Sequence, residues 1–539
     1  MKKLSVLGLV AGAALVAAGI TPVAIAAAPS RAASIAWGDC QSSGLKNAGA
    51  QCGLLSVPLD YAKPNGAKIK LAVSRIKHTV PDSQAQGVML VNPGGPGASG
   101  LGLATLGSDV PNGAGDYYDW IGFDPRGVGS SQPAVSCDNN YFDFNRPPYI
   151  PVQPTDLHAW LARTKGYDAA CAKNNGPILQ HLTTVDSAKD MDSIRAALGA
   201  KQINYFGFSY GTYLGQVYST LYPSHVRRMV LDSNVDPRNV WYQANLDQDI
   251  AFEKNINIWF GWLAKYDSVY HLGNTASKVK TLFYKTEAQL TFHPADGKIG
   301  GDEWVDIFLY AGYYQSTWTD LGNAFAGYIH DNDVANLEDE YVNAQGLGDD
   351  NGFAMYNAVQ CTDVQWPTKW STWSHDNWQT FAKAPFETWG NAWFNAPCLY
   401  WPAAAHAKQP MKIDGRQVKS ALLIDETLDA ATPFEGSLEV RKLFPHSSLL
   451  ALPGGTSHAN SLYGNACEDD QIAAYLANGT LPARKPGNGP DTTCAPLPIP
   501  VPDAAANRSA APSSAGPAAA TRAAARAGAG AGARAGHGV

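Results

Sequence analysis

The passage that most constrains this chain runs from a short strand, Ile203 to Phe206, through Gly207-Phe208-Ser209-Tyr210-Gly211 and into a helix. A G-x-S-x-G turn between strand and helix lifts a serine hydroxyl clear of a sheet at a helix N-terminus, and glycine is needed at the crowded flanking positions. Alone, the pattern arises by chance often enough to carry little weight. The same rhythm, however, recurs along the chain. Leu54 to Val57 and Ile69 to Ile76 read as strands joined through the turn Lys63-Pro64-Asn65-Gly66. Val88 to Val91 is another, stopped by Asn92-Pro93-Gly94-Gly95-Pro96-Gly97, and Trp120 to Phe123 ends at Asp124-Pro125-Arg126-Gly127. Ala188, Met191, Ile194 and Leu198 recur at helical spacing before Gly199. Met229 to Leu231, Ala421 to Ile424 and Ser448 to Leu452 complete the set of short apolar strands. Such alternation predicts an α/β fold with a mainly parallel sheet covered on both faces.

The stretch 236–405 breaks the rhythm. It is helical in pattern and holds 12 of the 15 Trp, from Trp241 to Trp401. It reads as a cap inserted between two strands, dividing the core into 37–235 and 406–497. Most of these Trp are expected to be packing, with a few left to line a pocket facing the serine. At the start, Lys2 and Lys3, an apolar run from Leu4 to about Ile20, and Ala24-Ile25-Ala26-Ala27 have the form of a secretory signal, 1–26, cleaved near Ala26. The alternative, a membrane anchor, lacks a basic stop-transfer cluster, and no later apolar run is long enough to span a membrane. Residues 503–539 are Ala, Gly, Pro and Arg, too poor in large apolar side chains to fold alone. The net charge of −7, without a basic stripe, argues against nucleic acid as partner.

Eight Cys in an exported chain predict four disulfides, and their grouping into near neighbours suggests Cys40–Cys52, Cys137–Cys171, Cys361–Cys398 and Cys467–Cys494. A metal site would need C-x-x-C spacing, which is absent.

A nucleophilic Ser209 needs a base and a group that orients the base, in the chain order Ser, acid, His. His458, in Pro453-Gly454-Gly455-Thr456-Ser457-His458, lies just past the last long strand, where the base belongs. The acid should follow the preceding strand. Asp429 in the loop beyond Leu422-Leu423-Ile424 is the choice, with Asp425 as the alternative. The negative oxygen formed on attack needs backbone N–H donors. Tyr210, directly after the serine, and Gly95, in the glycine loop after Val91, are the candidates. That loop could instead cradle phosphate, but neither G-K-[ST] nor G-x-G-x-x-G is present.

Asn92-Pro93-Gly94-Gly95-Pro96-Gly97, Asp124 to Ser130, Gly207 to Thr212, Asp429-x-x-Thr432-Pro433 and Gly455 to His458 together resemble the secreted bacterial tripeptidyl aminopeptidases. These are α/β-hydrolase peptidases related to prolyl aminopeptidase. Trp241 to Asp249 resembles the prolyl tri- and tetrapeptidyl aminopeptidases in particular, and the likeness runs from about Trp37 to Pro496. The resemblance implies release of three or four residues from a free peptide N-terminus, often after Pro. The Ser-His-Asp chemistry calls for no metal or organic cofactor. Such an exopeptidase must hold the α-ammonium with an acid about 10–14 Å from the serine, the reach of three or four extended residues. Asp247, Asp249, Glu253 and Asp363 are candidates by their place in the cap. A monomer acting on peptides is expected.

Two other readings use the same residues. A secreted carboxylesterase or lipase would share the triad and oxyanion hole, and a smooth apolar cap would favour it. A catalytically dead binding protein would show damage to the constellation, yet Ser209, Asp429, His458 and the glycine loop are all present.

Overall fold

The computed structural model describes residues 34–502. The expected signal, 1–26, and the Ala/Gly/Arg tail, 503–539, lie outside them. Ten strands form one sheet: β1 (Gly38–Asp39), β2 (Gln51–Pro58), β3 (Lys68–Ile76), β4 (Val88–Asn92), β5 (Asp119–Phe123), β6 (Ile203–Phe208), β7 (Val226–Asp232), β8 (Ala421–Glu426), β9 (Ser447–Leu452) and β10 (Thr492–Thr493). Their order is β1-β2-β3-β5-β4-β6-β7-β8-β9-β10. β1, β2, β3 and β5 pair antiparallel in turn, and every pairing from β5–β4 to β9–β10 is parallel. The strands predicted from sequence are all present; the two-residue edge strands β1 and β10 were too short to show a pattern.

Because successive side chains alternate faces, the apolar strands feed two cores. Leu90, Tyr205, Leu231, Leu423 and Leu449 pack on one face, with the helices Thr184–Ala197 and Tyr210–Leu221. Met89, Val91, Phe206, Val230, Ile424 and Leu450 pack on the other, with the helix Ala466–Asn478. The four disulfides join Cys40–Cys52, Cys137–Cys171, Cys361–Cys398 and Cys467–Cys494.

β7 and β8 are neighbours in the sheet, yet nine α-helices of the described residues lie between them in sequence, from Tyr242–Lys265 to Thr388–Asn395. Much of this segment has its own core, built on Trp259, Trp304, Trp318, Phe283, Phe308 and Phe325. Ala430 and Ala431, from the loop after β8, pack into that same core. Most of the Trp are packing residues here. Among the described residues Trp241 is the sole tryptophan lining the cavity over Ser209, so the expectation of several Trp in the pocket is corrected to one. No helix among the described residues is long and apolar enough to cross a membrane.

Candidate active site

β6 ends at Phe208 and the helix Tyr210–Leu221 starts at once, so Ser209 alone turns the corner, with φ 55° and ψ −127°. The flanking glycines are demanded by contact. A Cβ on Gly207 would lie 2.6 Å from the Gly211 carbonyl oxygen, and one on Gly211 would lie 2.6 Å from that of Asn92. The Ser209 N–H donates to the Asp232 carbonyl at 3.0 Å, and the Ser209 carbonyl accepts from Thr212 Oγ1 at 2.6 Å.

The loops after β8 and β9 bring Asp429 and His458 together, with Asp429 Oδ2 2.7 Å from His458 Nδ1. Both are deeply buried, 2 % and 4 % exposed. Asp429 Oδ1 also accepts the N–H groups of Ala431 at 2.9 Å and Thr432 at 3.0 Å, and Oδ2 accepts the Thr432 hydroxyl at 3.0 Å. With the carboxylate as acceptor throughout, this network assigns the imidazole proton to Nδ1 and leaves Nε2 as an acceptor. The His458 N–H donates to the Tyr313 carbonyl at 2.9 Å, and the Tyr313 ring meets the imidazole edge-on at 5.8 Å. Asp425, the alternative acid, lies within β8 and accepts from Ser437 Oγ at 2.5 Å. Burial and the Asp429 charge push its carboxyl well above the usual range.

Ser209, Asp429, His458, Tyr210 and Gly95 line one cavity of about 750 Å³, within the range of small-ligand sites. Tyr210 is the first residue of its helix, so its N–H has no intrahelical partner. The phenol of Tyr210 is turned away, to Thr184 Oγ1 at 2.8 Å.

The four acids proposed for an ammonium have different fates. Asp247 lines the cavity, where Asn239 and Gln243 donate to it at 2.8 and 2.9 Å. Asp249, Glu253 and Asp363 are not part of the lining. Asp249 is buried against Asn391 Nδ2 at 2.8 Å, and Glu253 is paired with Lys280 at 2.6 Å. Asp363 accepts the Thr184 N–H and hydroxyl at 2.7 and 2.5 Å, and burial pushes it up to about 6.

A fifth acid carries no mark in the sequence. Glu387, at the N-cap of the helix Thr388–Asn395, lines the cavity, is 6 % exposed, and its carboxylate makes no hydrogen bond or ion pair among the described residues. Burial, then the charges of Asp249 and Asp306, push it well above the ordinary range. In sequence it looks like any acid opening a helix; only the fold turns it inward. Asp306 shares the lining but is occupied by Arg146 at 2.6 Å and by Tyr149. The lining carries Asp236, Asp247, Asp306, Asp349, Glu387, Asp429 and Glu435 against Arg238 and Lys254, an environment that favours cationic ligands. No cluster of three or more potential metal ligands occurs among the described residues.

A serine at a strand–helix elbow and a buried Asp–His pair, on loops after the parallel strands of one mixed sheet, define the α/β-hydrolase class of serine hydrolases. The family model for the α/β hydrolase fold matches residues 87–288, and that for TAP-like proteins matches 384–494. The tripeptidyl aminopeptidase of Streptomyces lividans is 41 % identical over 494 residues, covering 89 % of this chain and 90 % of that protein. Serine protease Hip1 of Mycobacterium tuberculosis is 30 % identical over 85 % of this chain and 91 % of its own length. Carboxylesterase B of the same species is 30 % identical over 86 % and 91 %. The chain belongs to the tripeptidyl aminopeptidase family and is a serine peptidase.

Proposed function

We propose that this peptidase releases tripeptides, or tetrapeptides, from free peptide N-termini, with Pro favoured before the scissile bond. His458 Nε2 takes the Ser209 proton as the hydroxyl attacks the carbonyl, and Asp429 orients the ring and steadies the imidazolium. The N–H groups of Tyr210 and Gly95 receive the oxyanion. His458 then protonates the leaving amine, and water, activated by the same base, frees the peptide from the acyl-enzyme. The helical segment 236–405 acts as a cap that closes the groove behind the substrate's N-terminus. Glu387 takes the α-ammonium, assisted by Asp247 at the wall. Export by the signal 1–26 fits the four disulfides, which persist in oxidising surroundings.

The observation that carries this assignment is a buried carboxylate without a partner, Glu387, in the same cavity as Ser209, Asp429 and His458. A site for neutral esters has no use for it. The competing activity, ester hydrolysis, draws on the name of the carboxylesterase relative. Two chromogenic substrates separate them, a tripeptide with a free N-terminus and Pro third, and its N-acetyl form, with Ser209→Ala as control. Cleavage of the free form alone, lost in the variant, is expected. Cleavage of a simple aryl ester with neither peptide touched would overturn the assignment.

A further inference from the structure

Asp232 closes β7, and its carbonyl holds the Ser209 N–H at 3.0 Å. Its carboxylate reaches the loop of the base. Oδ2 accepts the Ser461 N–H at 2.9 Å and the Ser461 hydroxyl at 2.6 Å, three residues beyond His458. Ser233, the next residue, donates its hydroxyl to Asp232 Oδ1 at 3.2 Å and accepts the Ala459 N–H at 2.7 Å. Both ends of that last bond are left-handed, Ser233 with φ 64° and Ala459 with φ 50°. Neither residue is glycine, so each holds a conformation that its Cβ resists, and such strain concentrates at working sites.

We propose that Asp232 and Ser233 are positioning residues that lock the loop carrying His458 to the turn carrying Ser209, while the Asp232 charge favours the imidazolium formed during attack. This rests on Ser209 and His458 being nucleophile and base. The titratable groups facing Asp232 are His458, Asp429, Asp425, Glu426, Glu468 and Tyr463. His458 is the one base among them. Burial pushes Glu426 up to about 8 and raises Asp425 and Glu468 well above their usual range. Burial raises the Asp232 carboxyl as well, and the two bonds from Ser461 and the facing His458 work against that rise. All the side-chain partners of Asp232 are donors, which suits a carboxylate.

The test compares Asp232→Asn, Ser233→Ala and wild type for hydrolysis of the free tripeptide substrate across pH, for thermal stability, and for labelling of Ser209 by a fluorophosphonate. Asp232→Asn is expected to lower kcat about tenfold or more at unchanged KM, and to move the acidic limb of the kcat/KM profile down by about half a pH unit or more, since a charge that favours imidazolium is gone. Ser233→Ala, which keeps the charge, is expected to lower kcat at unchanged KM and leave that limb in place. A purely structural role would lower the melting temperature without moving the limb, and that result overturns the proposal. If Asp232→Asn does not fold, Ser233→Ala decides, and wild-type kcat there overturns it as well. Absence of labelling at Ser209 in the wild type would remove the nucleophile assignment itself; labelling with unaltered kcat in both variants removes only the positioning role.

Discussion

At the scale of the residue, the proposed chemistry draws on groups placed by chain order and groups brought in only by folding. Ser209, Asp429 and His458 stand in the order and at the strand ends that the strand–helix rhythm predicts, because each belongs to a loop directly after a strand. The acids proposed for the ammonium do not follow such a rule. Asp249, Glu253 and Asp363 sit on helices whose packing turns them toward Asn391, Lys280 and Thr184, and no periodicity reveals that. Glu387 is the reverse case, an unremarked helix-start acid that tertiary packing strips of partners. Its burial without a counter-charge makes it costly until a cation arrives. Glu387→Gln is therefore expected to raise KM for the free tripeptide about tenfold or more with a small change in kcat, and to leave the N-acetyl form as poor as before. Equal effects on both substrates in steady-state kinetics would count against the ammonium site.

At the scale of the element, the helix Tyr242–Lys265 deserves comparison with the loops it touches. Asn255 on this helix donates through Nδ2 to the carbonyls of Leu428 at 2.8 Å, Gly312 at 3.0 Å and Thr456 at 3.4 Å. Leu428 precedes Asp429 and Thr456 lies two residues before His458, so one amide braces both loops of the Asp–His pair. Asn255→Ala leaves buried carbonyls unpaired and is expected to cost about 2 kcal/mol in a urea melt, with a fall in kcat. An unchanged midpoint would show that water replaces the amide. The strands and the elbow were legible because apolar runs and glycine turns are local signals. The role of Asn255 was not, since a lone Asn in a Trp-rich helical stretch carries no sequence mark of what lies across from it.

At the scale of the whole molecule, buried acids dominate the response to pH. Burial pushes Asp363 to about 6, Glu287 and Glu426 to about 8, and Asp168 to about 9. Between about pH 4 and those values the folded chain keeps protons that the unfolded chain has released. Stability must then fall as pH rises through this window. His78, raised mainly by its bond to Asp119, adds to the trend, and His181, lowered by burial, opposes it. The melting temperature at pH 5 is expected to exceed that at pH 9 by several degrees, and a flat profile would refute the buried charges as its source. Alternating elements made the sheet readable from sequence, and the neighbouring Cys pairs made the disulfides readable. The sign of this pH response was not, because it depends on which carboxyls the packing leaves dry.

The bonds from Tyr313 to His458 and from Asn255 to Leu428 and Thr456 have one more consequence. A covering segment pinned to the very loops that hold the acid and the base is a wall rather than a door. Lifting it would break the bonds that brace the pair it covers, so substrate is expected to enter by a standing opening rather than under a raised cap.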